Sequence, residues 1–464
     1  LFVVLLVMAP PSQELEPPTN PARFNSIKVV VSKIKSNEIY FGLLNEPHSP
    51  EALSLIEDLA LQIHKSTAGR KPTEKAKVAL GAVLADLMNV ARAGDKAHGF
   101  RSLKKGEFTG EDVGYHVFRA AVDGLEDAGL IERREGAKMA SYKATPGDKA
   151  SQFFVLQPLL DAAAAHGIFP DDWACHFRLK PQPAIIKKAI VLRKSRTGSW
   201  FDRPDRGEDM PVDWSHPNVI ASKHKVDEIN AFLFGKEITA LRNGNKTHSR
   251  CHCGFKRIYN QGDLPGHNYS KGGRLYSIGG GFQNLSKMER ATILIDGEET
   301  VEIDIRASHL VGLHAVSGCP LDPCIDPYLG LSVDRGITKM FIMQTVGSDK
   351  LPSRWSSTAA ESYAWGNDGQ CLYCNYPFKA IKSAVLMKFP IFKNWAASKI
   401  GWGDLQFNEA EVIVGTVYYL AMHHNVPSLP VHDSLIIRKC DEGIARSVLA
   451  KLFEDRFNVP PYLT

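Results

Sequence analysis

Residues 271–310 read KGGRLYSIGGGFQNLSKMERATILIDGEETVEIDIRASHL. The end of this stretch alternates Val301, Ile303 and Ile305 with Glu302 and Asp304, the period of a strand that buries one face. Asp304 therefore stands on the other face, at the strand's end. Ahead of it, a glycine-flanked Arg-Leu-Tyr and a Phe-Gln-Asn-Leu read as a basic loop. One acidic residue on a strand's wet face is ordinary, so the partner groups have to come from elsewhere in the chain.

A second carboxylate lies in SLPVHDSLII (428–437), where apolar runs flank His432-Asp433. The pattern predicts a strand–turn–strand hairpin with Asp433 near its tip. Two carboxylates on adjacent strands can hold two divalent ions about 4 Å apart, the arrangement used for in-line phosphoryl or nucleotidyl transfer. A third segment, SVDRGITKMFIMQTVGSDK (332–350), reads as a helix opened by Ser332. Arg335 and Lys339 are four apart and share a face. Taken alone, such a pair is usually a solvated stripe; beside a metal site, two cations on one face can grip a triphosphate.

The composition sets wide bounds. The 464 residues suffice for two or three domains. They are 44% hydrophobic and 23% charged, as expected of a globular protein. The net charge of +5 permits nucleic-acid binding without requiring it. Eight cysteines at this length read as reduced thiols of a cytoplasmic protein. The apolar run LFVVLLVMA (1–9) is far shorter than the roughly 20 residues that span a bilayer. Met8 is read as a start, residues 1–25 as a flexible lead, and no membrane association is expected.

Helical patterns follow at about 49–66 and 72–92. In TGEDVGYHVFRAAVDGLEDAGLIERREGAKMASYKATP (109–146), Val117, Phe118, Ala121, Val122 and Leu125 share a helical face, and Gly129 ends that helix. LIERREG and ASYKATP then read as two strands of a basic hairpin. Helix, glycine stop and hairpin together resemble a winged helix-turn-helix domain at about 70–146, within a helical region 26–180. In that family the second helix enters the DNA major groove and the wing tracks phosphates. The resemblance makes Arg119, Arg133, Arg134, Lys138 and Lys143 candidate nucleic-acid contacts; winged helices also serve as protein-docking modules. Residues 181–216 read as a connector with room for one strand, and 217–464 as the second domain.

The order of segments from about 255 to 460 is similar to that of family A DNA polymerases and the related single-subunit phage-type RNA polymerases. GRLYSIGGGFQNLS (273–286) resembles the family stretch with Gly-Arg-Leu and Gln-Asn pieces. DIRASHL sits where motif A places its metal-binding aspartate. RGITKMFIMQTVGS resembles motif B, in the phage RNA polymerase form, and VHDS is motif C as the RNA polymerases write it. One such motif is weak; four in order are specific.

The resemblance implies an α+β chain: a winged-helix N-terminal domain followed by a compact right-hand polymerase with an antiparallel palm sheet, small fingers and a reduced thumb. The thumb candidate is the segment 227–245. Asp304 and Asp433, with the Ile305 carbonyl, would ligate two Mg²⁺ ions (Mn²⁺ being possible). Arg335 and Lys339 would hold the triphosphate. Arg274, Gln283 and Asn284 would touch the minor-groove side of a DNA template–primer, with His432 by the primer end. The implied substrate is a dNTP, or an rNTP in the RNA polymerase or primase alternative, and replication proteins are possible partners. A non-catalytic DNA-binding replication factor with a degenerate palm is a further alternative. No exonuclease carboxylate set is found upstream, which implies synthesis without proofreading.

Two departures bear on sugar choice. Motif B ends Val346-Gly347 where the family has Tyr-Gly, and His309 stands where the DNA enzymes place a glutamate that excludes ribose. An imidazole can act as a steric gate or can hydrogen-bond a 2′-OH. Among the cysteines, Cys371-x2-Cys374 has zinc-ligand spacing, but no second knuckle completes a set. Free thiols are the simpler reading.

Overall fold

A computed structural model describes residues 38–65, 71–103, 108, 111–134, 150–180, 186, 188–195, 207–241, 248–278, 281–322, 325–348, 350–398 and 400–464. The architecture is α+β, as expected, and its sheets are largely antiparallel. Three separate hydrophobic cores organise it.

The first core belongs to the N-terminal elements. These are β1 (Glu38–Tyr40), β2 (Asn45–Pro47), α1 (Pro50–Lys65), α2 (Glu74–Arg92), β3 (His98–Arg101), α3 (Tyr115–Asp127), β4 (Ile131–Arg134), β5 (Ser151–Val155), α4 (Gln157–Ala165), α5 (Trp173–His176) and β6 (Phe177–Leu179). Thr73 caps α2 by accepting the Ala76 N–H at 3.3 Å, and Ser49 does the same for α1, accepting from Ala52 at 3.0 Å. The predicted face of α3 is buried at Phe118, Ala121, Val122 and Leu125, and Gly129 follows it with φ of 70°.

β4 lies where LIERREG predicts a strand, and it pairs antiparallel with β5. The expected return strand ASYKATP, with Lys138 and Lys143, falls outside the described residues. β5 also pairs with β3, giving a four-stranded sheet in the order β1-β3-β5-β4.

This lobe buries charge. Asp86 on α2 is 5% exposed and accepts the Leu43 N–H at 2.8 Å. Arg101 is fully buried against Glu111, and Lys180 reaches Asp112 at 3.2 Å. Burial raises the Asp86 carboxyl to about 7, against the pull of Arg101 and Lys180. An acid raised by folding stabilises the fold when protonated. Its contribution is complete below about pH 4 and is lost as pH rises through about 7. Wild type should therefore lose stability from about pH 4.5 to 7, approaching about 1.4 kcal/mol per pH unit relative to Asp86→Asn, and the difference should level off above that range. Denaturant melts of both proteins across that range measure it; parallel pH profiles would contradict it.

The second core fills the space between two sheets and three long helices. Its elements are β7 (Ile190–Arg193), β8 (Asp209–Met210), α6 (Pro217–Phe234), β9 (Ile238–Leu241), β10 (His248–Arg250), β11 (Phe255–Tyr259), β12 (Gly272–Ser277), α7 (Lys287–Arg290), β13 (Leu294–Ile295), β14 (Glu298–Asp304) and α8 (Ser308–Val316). After an inserted helical segment come α13 (Trp402–His424), β15 (Ser428–Val431), β16 (Ser434–Arg438) and α14 (Glu442–Phe457). One sheet runs β12-β11-β7-β8; the other, antiparallel throughout, runs β10-β9-β13-β14-β16-β15.

Three expectations change here. The stretch read as a connector supplies β7 and β8, and Ile190 and Leu192 sit in the core, so the second body begins before residue 217. The thumb candidate is built into that body: α6 buries Val219, Val226, Ile229 and Leu233, and β9 is a sheet strand. The basic loop at 272–277 is itself a strand, β12, paired to β11 across a bulge. Gly272 and Gly273 both have φ near +80°, and a Cβ on Gly272 would lie 2.3 Å from Asn260 Nδ2. A turn-like glycine pair thus lets the strand begin rather than interrupting it.

The inserted segment has the third core. It comprises α9 (Arg335–Val346), α10 (Ser357–Gly366), α11 (Leu372–Asn375) and α12 (Phe378–Lys388), packed around Trp355, Phe341 and Phe389. Helix α9 begins at Arg335, three residues later than Ser332, with Asp334 at its N-cap position. Among the described residues no helix is long and apolar enough to cross a membrane.

Candidate active site

Strands β14 and β16 are direct neighbours, with Asp304 opposite Ser434. The Ile305 N–H donates to the Asp433 carbonyl at 3.1 Å. Asp433 lies in the two-residue turn of the β15–β16 hairpin, as predicted. His432, the first turn residue, has φ of 57°, the left-handed conformation that two-residue hairpins favour because it matches strand twist. Thus the register of β14 on β16 brings the two aspartates together, although 128 residues separate them in sequence.

Their electrostatics are strained. Burial and then the Asp433 charge raise the Asp304 carboxyl to about 6, with the Lys339 charge opposing both. Asp433 is raised as well, by burial and then by Glu409. Two half-buried acids that each disfavour the other's charge form a site that a cation would relieve. The donors are hard oxygens suited to Mg²⁺: two carboxylates, with the Ile305 carbonyl one peptide along. Among the described residues no group of three His, Cys, Asp or Glu side chains is placed to hold a metal. A cation here fits only if substrate oxygens complete its shell.

Helix α13 supplies the residue that sequence reading missed. Glu409 is 3% exposed and accepts from Arg274 Nε at 2.9 Å, while Arg274 Nη2 donates to the same oxygen. Its other oxygen accepts from the Ser308 hydroxyl and lies 3.2 Å from His309 Nε2. Ser308 Oγ is also 3.4 Å from Asp433 Oδ2. Burial alone would raise Glu409, but His309 and Arg274 outweigh it and hold the carboxyl below the ordinary range. Glu409 therefore ties β12, α8 and the hairpin tip together. The legible signal was two acids, Glu409 and Glu411, in an otherwise apolar helix stretch, NEAEVIVG, which must find cations when buried.

This fixes several predicted residues. Arg274 is spent largely on Glu409, with Nη1 3.4 Å from His432 Nδ1. Partial burial, then Arg274, lowers the His432 pKa. Gln283 is structural: its amide donates to the Leu275 carbonyl at 3.0 Å and the Pro430 carbonyl at 2.8 Å, and its oxygen accepts the Ser277 N–H at 2.9 Å. It pins β12 to the hairpin and has no donor left for a base edge. Asn284 is exposed.

On α9, Arg335 donates to Asp326 at 2.7 Å and lies 5.3 Å from the Tyr328 ring centroid, with its side chain 43% exposed. Lys339 is exposed and has no hydrogen bond or ion pair with a described residue. Its charge nonetheless favours the ionised form of Asp304.

The N-terminal arginines are not arrayed for phosphate. Arg119 pairs with Asp123 at 3.0 Å, Arg133 with Asp123 and, at 2.7 Å, with Glu126, and Arg134 with Glu132 at 2.7 Å. Arg134 also lies over the Phe154 ring at 4.2 Å. Nucleic acid bound there would compete with the acids of α3 itself.

Removing Glu409 should be costly. Glu409→Ala leaves Arg274 and His309 without their counter-charge, a loss of about 3–5 kcal/mol when one partner of a buried pair is deleted. Glu409→Gln keeps the shape and the Ser308 contact and should cost less. Denaturant melts of the two variants test the order; equal, small losses would remove Glu409 from the centre of the network.

Compared with known proteins, the sequence matches no protein family and no curated protein.

Proposed function

We propose that the chain is a template-directed nucleotidyltransferase that extends a 3′ end, most simply a DNA polymerase of the family A type. The observation that carries the reading is the placement of Asp304, at the end of its strand, beside Asp433 in the neighbouring hairpin turn, with the Lys339 charge favouring ionised Asp304. Asp304, Asp433 and the Ile305 carbonyl would hold Mg²⁺ or Mn²⁺, which when bound would neutralise charge on the reacting phosphate.

The chain's own residues do the rest. Lys339 and Arg335 meet the triphosphate from α9. Releasing Arg335 from Asp326 would let it follow the nucleotide. His432 borders the primer terminus, and Asn284 is exposed where the duplex end would lie. His309 is held by Glu409 at the position that borders the sugar. Its Nε2 lies 3.2 Å from Glu409 without hydrogen-bond geometry; the bulk of the ring is what favours a steric gate against ribose and hence dNTP use over the rNTP alternative.

Joint binding of metal and nucleotide tests this. The melting temperature should rise with Mg²⁺ plus dNTP by more than with either alone, since a ligand at about 100 times its Kd adds about 2.7 kcal/mol. Asp304→Asn and Lys339→Ala should lose the joint shift. A wild-type protein indifferent to the combination would contradict the reading.

A further inference from the structure

Cys371 and Cys374 lie on the exposed side of the inserted helical segment, outside the site described above. Their Sγ atoms are 2.6 Å apart, and Cys371 Sγ also accepts the Cys374 N–H at 3.3 Å. Separate thiols do not approach so closely at rest, and a bond of about 2.0 Å needs only a small further movement.

The surrounding chain holds the pair in place. Leu372, between them, is buried at 1% exposure. Tyr373 Oη donates to the Trp355 carbonyl at 3.3 Å, and Asn375 Nδ2 donates to Tyr363 Oη at 3.0 Å. Trp355 Nε1 donates to the Tyr376 carbonyl at 2.8 Å, and the Tyr376 hydroxyl donates to Asp334. The pair is thus one hydrogen bond from the residue that precedes α9.

The two thiols are unequal. Hydrogen bonds from Cys374 lower the Cys371 pKa, and the same contact raises that of Cys374. A more acidic attacking thiol beside a resolving one is the division of labour in reactive C-x-x-C pairs. Zinc would need further ligands, and among the described residues no group of three or more His, Cys, Asp or Glu is placed for it.

We propose that Cys371 and Cys374 are a reversible dithiol–disulfide couple that exchanges with low-molecular-weight disulfides. The Cys371 thiolate attacks one sulfur of the small disulfide, forming a mixed disulfide and releasing one thiolate. The Cys374 thiolate then attacks the Cys371 sulfur of that mixed disulfide and expels the second. Two protein thiols are oxidised, one small disulfide is reduced to two thiols, and the two protein protons pass to the leaving thiolates. The couple is independent of the proposed polymerase activity.

The test uses the full chain with excess oxidised glutathione at neutral pH, a quench with N-ethylmaleimide, and peptide mass spectrometry. The peptide holding both cysteines should lose two hydrogens and carry neither maleimide nor glutathione, and dithiothreitol should restore both thiols. Oxidation there should be at least tenfold faster than glutathionylation of Cys319 or Cys440. In Cys374→Ser, Cys371 should stop at the mixed disulfide. Two maleimide-labelled or two glutathionylated cysteines in wild type would overturn the proposal. So would stoichiometric zinc in the isolated protein that Cys371→Ser releases.

Discussion

Asp304→Ala and Asp433→Ala should each cut nucleotide incorporation by at least about 10³-fold while leaving the fold intact. Either loss removes half of the side-chain carboxylate charge that would hold metal at the transition state, worth several kcal/mol, and each 1.4 kcal/mol is tenfold in rate. Stability should move the other way. Asp304 is raised to about 6 by burial and by Asp433, so above that pH its ionised form opposes folding. At pH 8 without divalent ions, Asp304→Ala should melt no lower than wild type. Loss of activity with unchanged or increased melting temperature separates chemistry from folding. A variant keeping more than about a tenth of the wild-type rate, which corresponds to about 1.4 kcal/mol, would place that residue outside the metal site.

His309→Ala should raise rNTP use relative to dNTP use by about 10²-fold, the effect of relieving a clash worth a few kcal/mol. The sign rests on the bulk of the ring, which is mostly buried with Nε2 3.2 Å from Glu409 but without hydrogen-bond geometry. The opposite outcome, a wild type that prefers rNTPs and a mutant that loses the preference, would fit a hydrogen bond worth about 1–3 kcal/mol. That result would move the reading to an RNA polymerase or primase. Competition assays with mixed nucleotide pools read either sign.

Much of the site geometry was legible because it follows from strand period. Val301, Ile303 and Ile305 set the buried face of β14, and the apolar runs flanking His432-Asp433 set the hairpin. Antiparallel register then does what sequence distance hides, setting Asp304 beside the turn. The Arg335–Lys339 pair was legible from helical spacing, although the N-cap position of α9 falls on Asp334, two residues beyond Ser332.

What was not legible depended on tertiary partners. Gln283 looked like a nucleic-acid contact, but backbone groups of Leu275 and Ser277 in β12 and of Pro430 in β15 take both its donors and one acceptor position. Glu409 carries no local signal of its partners, which come from β12 and α8, over 90 residues upstream. The glycines at 272–273 read as a loop because positive φ is a turn signal; here it opens a strand beside a bulge. The strand at 190–193 was hidden in a stretch rich in proline and arginine, yet its apolar run Ile190-Val191-Leu192 pairs between β8 and β11.

The most direct test of the central claim is primer extension by the wild-type protein with Mg²⁺, comparing dNTPs with rNTPs, with and without a primer annealed to a DNA template. The structure leads us to expect templated extension of the primer with dNTPs, little product from rNTPs, and none once Mg²⁺ is chelated. No extension with either nucleotide pool, from a folded protein with or without primer, would contradict the polymerase reading.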